Sequence, residues 1–181
     1  MSGSEVDAAG GEQVEIWLDA ELTQALDRHA REHGPSMSRS EVLRGLRTMG
    51  VRLERHQQNA LEIARWLETQ PGVASVLHPA LESCPGHEFW KRDFSGASGI
   101  FSVILDGGGQ KEAHAFLDAL EIFGLGYSWG GYESLAVHCN LSDRVVAKGP
   151  YPGPLLRLQI GLEDVEDLKA DLTRALAASR S

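Results

Sequence analysis

The chain has 181 residues, of which 42% are hydrophobic and 24% charged, and its net charge is −9. This length and composition predict a soluble globular protein with one core of good size, or with one domain and a small appendage. The acidic balance disfavours nucleic acid as a partner, because electrostatic binding to phosphates requires an excess of Lys and Arg. The apolar stretches are shorter than the roughly 18 residues of a membrane span, and the N-terminus lacks a basic start and an apolar run. We therefore expect no membrane association and a cytoplasmic location.

The N-terminal part of the sequence divides into a tail and a short structured unit. Residues 1–12 are mostly Gly, Ser, Ala and acidic residues without periodicity, which predicts a disordered tail. Apolar and polar residues alternate over 14–19, which predicts a strand, and a helical repeat follows until Gly34-Pro35. These patterns place a strand-helix unit at residues 13–42 and the main domain at residues 43–181.

A long amphipathic helix is predicted next. Ser38 and Glu41 have the spacing of a capping box, and Gln70-Pro71-Gly72 ends the helix. The stripe between them consists of Leu43, Leu46, Gly50, Leu53, Gln57, Ala60, Ala64 and Leu67. A coiled-coil dimer would fit this spacing, but two Ala and one Gly on the stripe favour close packing on a sheet.

Short strands and two further helices follow the long helix. The predicted strands lie at 73–77, 100–105, 134–138 and 155–160, and the predicted helices lie at 113–120 and from 163–164 onward. This order of elements predicts an α+β domain. We expect a long linking helix and a largely antiparallel four-stranded sheet covered by helices.

Five stretches of the sequence carry a resemblance to a known family. They lie at residues 43–56, 77–81, 84–94, 127–134 and 156–164. In residue identity, order and spacing they resemble the C-terminal domain of the cystathionine β-lyase family. This family belongs to the transsulfuration branch of the fold-type I pyridoxal-phosphate enzymes. The resemblance extends over about three quarters of the chain, from about residue 43 to the C-terminus.

The resemblance implies carbon–sulfur lyase chemistry in sulfur amino-acid metabolism. In that family, pyridoxal phosphate acidifies the substrate Cα–H, and a sulfur leaving group is eliminated from cystathionine or a related amino acid. The small C-terminal domain orients the substrate. The chain is therefore expected to be a substrate-recognition domain with a cystathionine-like sulfur amino acid as its partner, and to form a homo-oligomer.

Four residues make up the substrate site that the resemblance implies. Arg157 would hold the α-carboxylate, since a guanidinium offers a planar pair of donors and stays charged at every working pH. Ser128 would add a hydrogen bond to the carboxylate, while Tyr127 and Trp129 would form the wall. Without the resemblance, Arg157 fits an exposed edge residue as well as a ligand, while Trp129 fits a packing aromatic and Ser128 a turn hydroxyl. We expect Arg157 to leave the sheet near a strand end, before the turn at Gly161.

The resemblance also implies pyridoxal phosphate, but with its binding groups in a preceding large domain. The phosphate loop, the ring-stacking aromatic, the aspartate and the cofactor-binding lysine of the family all belong to that domain. The lysines of this chain are Lys91, Lys111, Lys148 and Lys169. None of them stands in the Ser-x-Thr-Lys context of the family. We therefore expect no cofactor-binding or catalytic residue here, and whether the chain alone is an enzyme stays open.

A second, weaker resemblance concerns residues 13–53. A short strand, a helix over 21–33 and a second helix resemble a ribbon-helix-helix unit, in which paired strands enter the DNA major groove. Glu15 and Trp17 would face the bases, but residues 1–53 hold six Arg against nine Asp and Glu. The alternative function is thus a DNA-binding regulator with an amino-acid-sensing C-terminal domain. A plain strand-helix appendage fits these residues at least as well.

Two other kinds of site have weaker support in the sequence. Cys84, His87 and His78 lack the fourth ligand that a structural zinc site needs. Gly107-Gly-Gly109 lacks the following Lys-Ser/Thr of a phosphate-binding loop. We therefore assign no metal site.

Overall fold

The computed structural model describes residues 39–141, 144 and 151–180, and it describes side chains from residue 43 onward. The tail and most of the strand-helix unit predicted from the sequence lie outside the described residues. The chain divides into two compact units, Met1–Met49 and Gly50–Ser181. No helix within the described ranges is long and apolar enough to cross a membrane.

The predicted long helix is interrupted. Helix α1 spans Arg39–Arg47 and helix α2 spans Met49–Leu67, with a turn residue, Thr48, between them. The Thr48 hydroxyl donates to Gly45 O at 3.3 Å, a local bond that competes with the helical pattern. Gly45 and Gly50 flank the turn and have low helix propensity. The prediction of one continuous helix is therefore wrong at this point.

Five strands and three further helices follow α2. The strands are β1 (Val73–Leu77), β2 (Ile100–Leu105), β3 (Gly124–Leu125), β4 (Leu135–Cys139) and β5 (Leu155–Gln159). The helices are α3 (His87–Asp93), α4 (Gln110–Asp118) and α5 (Val165–Ala178). Four strands and two helices lie within a few residues of their predicted positions. Helix α3 and strand β3 were not predicted.

The strands form one sheet in the order β1-β2-β5-β4-β3. Neighbouring strands are antiparallel, except that β3 runs parallel to β4. The α+β class and the largely antiparallel sheet are therefore confirmed, but the sheet has five strands and not the predicted four. Strand β3 has only two residues, too few for a periodic pattern, and it forms because tertiary contacts bring it beside β4.

The hydrophobic core lies on one face of this sheet, against α2, α4 and α5. From the sheet it contains Val76, Phe101, Val103, Leu105, Ala136, Leu156 and Leu158, and Ile160 directly after β5 also belongs to it. From the three helices it contains Ala60, Ile63, Ala64, Leu67, Ala113, Phe116, Leu168, Leu172, Ala175 and Leu176. Packing on the sheet is thus confirmed for the C-terminal half of α2. Leu53 in the other half is 40% exposed, so the predicted buried stripe does not extend that far.

Candidate functional site

Arg157 lies in the middle of β5, the central strand of the sheet. Its neighbours across the strands are Ser102 on β2 and Val137 on β4. The expectation that Arg157 leaves the sheet near a strand end is therefore wrong. Leu156 and Leu158, on either side of it, are buried in the core. Because side chains alternate along a strand, Arg157 points to the face opposite the helices.

The Arg157 guanidinium is aligned by one residue and keeps an unpaired donor. Its Nη2 donates to Tyr127 O at 2.7 Å, and its Cζ lies 5.7 Å from the centroid of the Tyr127 ring. Its Nε is buried and has no hydrogen-bond partner among the described residues. A buried donor without a partner costs about 1–3 kcal/mol. The group is therefore suited to an acceptor that comes from outside the described residues.

Tyr127 begins the segment over 127–133, which we call the aromatic loop. Its three aromatic side chains, Tyr127, Trp129 and Tyr132, are 76%, 65% and 68% exposed. Ser128 is exposed as well. The structure thus brings Tyr127 to Arg157, whereas the side chains of Ser128 and Trp129 make no described contact with the guanidinium. The roles assigned to these two residues stay predictions.

The backbone of the aromatic loop is held by four donors. They are Arg157 Nη2 on Tyr127 O (2.7 Å), Arg52 Nε on Gly130 O (3.2 Å), His56 Nε2 on Gly131 O (2.9 Å) and the Leu162 N–H on Tyr132 O (2.9 Å). A carbonyl oxygen only accepts, so the His56 proton must be on Nε2. Burial lowers the pKa of His56 below its ordinary value, which favours the neutral ring. The loop therefore exposes its side chains while its backbone is anchored from α2 and from around β5.

A buried serine fixes the C-terminal end of the aromatic loop. Ser134 has no exposed surface, and it donates from its N–H to Glu163 Oε1 at 2.7 Å and from its hydroxyl to Oε2 at 2.8 Å. Its Oγ accepts from the Gly161 N–H at 2.8 Å. A Cβ at Gly161 would overlap with Tyr132 O, so the loop lies directly against the residues that follow β5. Asn59 Nδ2 also donates to Gly161 O, at 3.2 Å.

The sequence analysis did not single out His56, Ser134 or Glu163. Each lies within one of the stretches that carry the family resemblance, which was the available signal. Their contacts join residues 29 to 75 positions apart in the chain. Such contacts leave no local spacing pattern that sequence reasoning could have detected.

Comparison with known proteins decides the family. The sequence profile described as Cys/Met metabolism PLP-dependent enzyme matches residues 14–177. The chain belongs to this family. The resemblance found in the sequence is therefore confirmed. The match includes most of residues 13–53, and the comparisons give no support to the ribbon-helix-helix resemblance.

Relatives of known name agree with this family. A Rhizobium johnstonii protein, whose name of cystathionine beta-lyase is provisional, is 65% identical over 143 residues, covering 77% of this chain and 36% of that protein. The cystathionine beta-lyase of Escherichia coli is 50% identical over 140 residues, covering 74% of this chain and 35% of that protein. The chain thus spans about a third of the length of these curated relatives.

A solved structure of the same family has a similar fold. It is the crystal structure of cystathionine gamma synthase from Xanthomonas oryzae pv. oryzae in complex with aminoacrylate and cysteine. It matches with a TM-score of 0.68 and 38% identity, and the match covers 90% of this chain and 44% of that chain. The shared fold supports the fold-type I class that the resemblance implied.

The family implies pyridoxal phosphate, and the described lysines do not fit it. Lys169 Nζ lies 2.7 Å from Glu166 Oε1 and 2.8 Å from Glu62 Oε1, and these hydrogen bonds raise its pKa. A lysine must lose its proton before it can bind an aldehyde, so Lys169 is poorly suited to this role. Lys91 and Lys111 are exposed on helices, and the fourth lysine lies outside the described residues.

The glycine turn before α4 does not fit the cofactor phosphate either. Gly107 and Gly108 have positive φ values of 82° and 81°, which only glycine adopts readily. The N–H of Gly109, where a phosphate would bind, donates to Glu112 Oε2 at 2.7 Å. This carboxylate would repel a phosphate. Neither the described lysines nor this glycine turn therefore fits pyridoxal phosphate.

Proposed function

We propose that the chain is the substrate-recognition part of a pyridoxal-phosphate-dependent carbon–sulfur lyase of sulfur amino-acid metabolism. Arg157 binds the α-carboxylate of a substrate such as cystathionine. The observation that carries this proposal is the Arg157 Nε, which is buried without a partner beside an Nη2 already aligned on Tyr127 O. Nη2 has two N–H groups, so one remains after the bond to Tyr127. Nε–H and this second N–H can bind the two oxygens of one carboxylate.

The charge around Arg157 supports an anionic ligand. None of the described ion pairs includes Arg157, although five others are formed by Arg92, Lys169 and Arg174. An arginine that has a buried donor and no Asp or Glu partner among the described residues favours the carboxylate of a ligand. We place Tyr127 and Trp129 at the wall of this site and Ser128 as a further donor to the carboxylate.

We propose that a partner chain supplies the cofactor domain of the lyase. Pyridoxal phosphate, when bound, supplies the electron withdrawal that makes loss of the Cα proton possible. This chain contributes binding and orientation, which place the Cα–H before the reacting groups. Residues 43–181 form the small domain in this proposal, and the chain forms a homo-oligomer in the cytoplasm.

The test replaces Arg157 with lysine, which keeps the charge but not the paired donors. We expect Arg157→Lys to weaken L-cystathionine binding by about 1–3 kcal/mol, or roughly 5- to 150-fold. The measurement is an NMR titration of the full chain that follows the Trp129 indole signal.

The control is Arg92→Lys, because Arg92 is an exposed arginine paired with Asp93 away from the site. We expect this variant to bind as the wild type does. Equal affinities of wild type and Arg157→Lys, or the absence of a saturable shift in the wild type at millimolar ligand, would contradict the proposal.

A further inference from the structure

One carboxylate connects the aromatic loop to the end of the strand that carries Arg157. Glu163 uses both of its oxygens on Ser134, one on the backbone N–H and one on the hydroxyl. The Ser134 Oγ also accepts from the Gly161 N–H. The Ser134 hydroxyl therefore donates one hydrogen bond and accepts another, so that loss of one of these bonds weakens the others. The loop and the residues after β5 are joined by this closed network.

The network is not needed to start helix α5. Asp164 is the N-cap of that helix, and its carboxylate accepts from the N–H groups of Glu166 and Asp167. A side-chain cap of this kind satisfies the free N–H groups of the first turn. Glu163 precedes the cap, and both of its oxygens point to the loop. Its contacts thus serve the position of the loop.

The position of the loop determines the geometry around Arg157. Gly161 lies four residues after Arg157 on the same run of chain, and Ser134 ends the loop that begins at Tyr127. At the other end of the loop, Arg157 Nη2 bonds to Tyr127 O. Glu163 and Arg157 therefore hold opposite ends of the aromatic loop. Displacement of the Ser134 end would change where Ser128 and Trp129 stand relative to the guanidinium.

We infer that Glu163 is a positioning residue of the carboxylate site, acting through Ser134 on the aromatic loop. The inference rests on the proposed function of Arg157. Glu163 contacts no substrate in this role. It reduces the freedom of the loop, so that the carboxylate meets Arg157 and the loop donors without a further loss of entropy.

The test compares Glu163→Gln and Glu163→Ala in the full chain. A glutamine oxygen can still accept from the Ser134 N–H, but its NH₂ cannot accept from the hydroxyl, and alanine removes both acceptors. We expect L-cystathionine affinity to fall about 3- to 10-fold in Glu163→Gln and about 10- to 50-fold in Glu163→Ala. Amide hydrogen exchange over 127–133 should accelerate in the same order, while exchange in β2 and β5 stays unchanged.

The matched control is Glu166→Gln, which also removes a charge near the start of α5 but does not touch the loop. We expect wild-type affinity and wild-type loop exchange from it. Unchanged loop exchange in both Glu163 variants would overturn the inference, as would acceleration in β2 and β5 equal to that in the loop, because the role would then be general stability. If Arg157→Lys binds as well as wild type, the proposed function fails, and loop exchange alone decides whether Glu163 positions the loop.

Discussion

His78 is a buried histidine with one ring nitrogen unpaired. It is 1% exposed, its Nδ1 accepts from the Ala80 N–H at 3.2 Å, and its Nε2 has no partner in the part of the chain that the structure describes. Its ring lies 5.5 Å from that of Phe101. Burial lowers the pKa of His78 below its ordinary value, because the charged ring would lose its hydration. The neutral ring is therefore the form that the fold accepts.

This histidine should make stability depend on pH. An unfolded histidine binds a proton near pH 6.5, and folded His78 binds it only at lower pH. The unfolded state then holds more protons as the pH falls below about 6.5, so the free energy of unfolding decreases. We expect His78→Asn to reduce this decrease, because the asparagine carbonyl can replace Nδ1 as acceptor but does not titrate. Urea unfolding between pH 7 and pH 5 measures the slope of the free energy of unfolding against pH.

Two other histidines contribute to the slope of the free energy of unfolding against pH. Burial also lowers the pKa of His56 and of His138, so the slope should become smaller in His78→Asn without disappearing. Gln58→Asn, a change at an exposed site on α2 that removes no titratable group, is the control and should keep the wild-type slope. Identical slopes in wild type and His78→Asn would show that His78 does not couple folding to pH.

Helix α5 holds the turn before β3 through one carboxylate. Asp171 is 1% exposed and accepts from the N–H groups of Glu121, Ile122 and Phe123 at 2.9, 2.8 and 3.0 Å. Arg174 pairs with the same carboxylate. Three backbone donors on one charged acceptor form a strong, buried group of hydrogen bonds. They connect a helix of the core to the segment that leads to the aromatic loop.

We expect Asp171→Asn to lower the free energy of unfolding by about 2–4 kcal/mol. The amide presents only one accepting oxygen, and its NH₂ faces backbone donors. Urea unfolding at neutral pH measures the loss. Asp118→Asn at the exposed end of α4 is the control, with an expected change within about 0.5 kcal/mol. A loss below about 1 kcal/mol in Asp171→Asn would mean that the turn keeps its conformation without the carboxylate.

At the scale of the whole molecule, the lysines of this chain bear on where pyridoxal phosphate binds. The chain matches about a third of the length of its curated relatives. Lys169, which lies on α5, is held as a cation by Glu166 and Glu62. Binding of an aldehyde requires the neutral amine. We therefore do not expect Lys169 to bind the cofactor.

The prediction is that pyridoxal phosphate forms no stoichiometric adduct at one lysine of this chain. After borohydride reduction, we expect low labelling distributed over exposed lysines such as Lys91 and Lys111. Mass spectrometry of the digested protein measures the distribution. Lys169→Arg is the control and should leave the distribution unchanged. One fully labelled lysine would contradict the prediction and would make the chain itself a cofactor-binding protein.

The sequence by itself determined the elements with a clear local pattern and the family. The short apolar stretches of β2 and β5 and the helical repeat of α5 are local, so they predicted these elements to within a few residues. Long matching stretches identified the family and pointed to Arg157. The interruption of the first long helix at Thr48 was missed, because the apolar stripe continues through it.

Only the tertiary structure decided how the candidate site is assembled. It placed Arg157 at the centre of the sheet, left its Nε without a partner, and added the two-residue strand β3. It also joined Ser134 to Glu163, 29 positions apart. The physical reason is that these contacts form between segments far apart in the chain. Their free energy depends on how the folded chain brings these segments together, and the local order of residues does not reveal it.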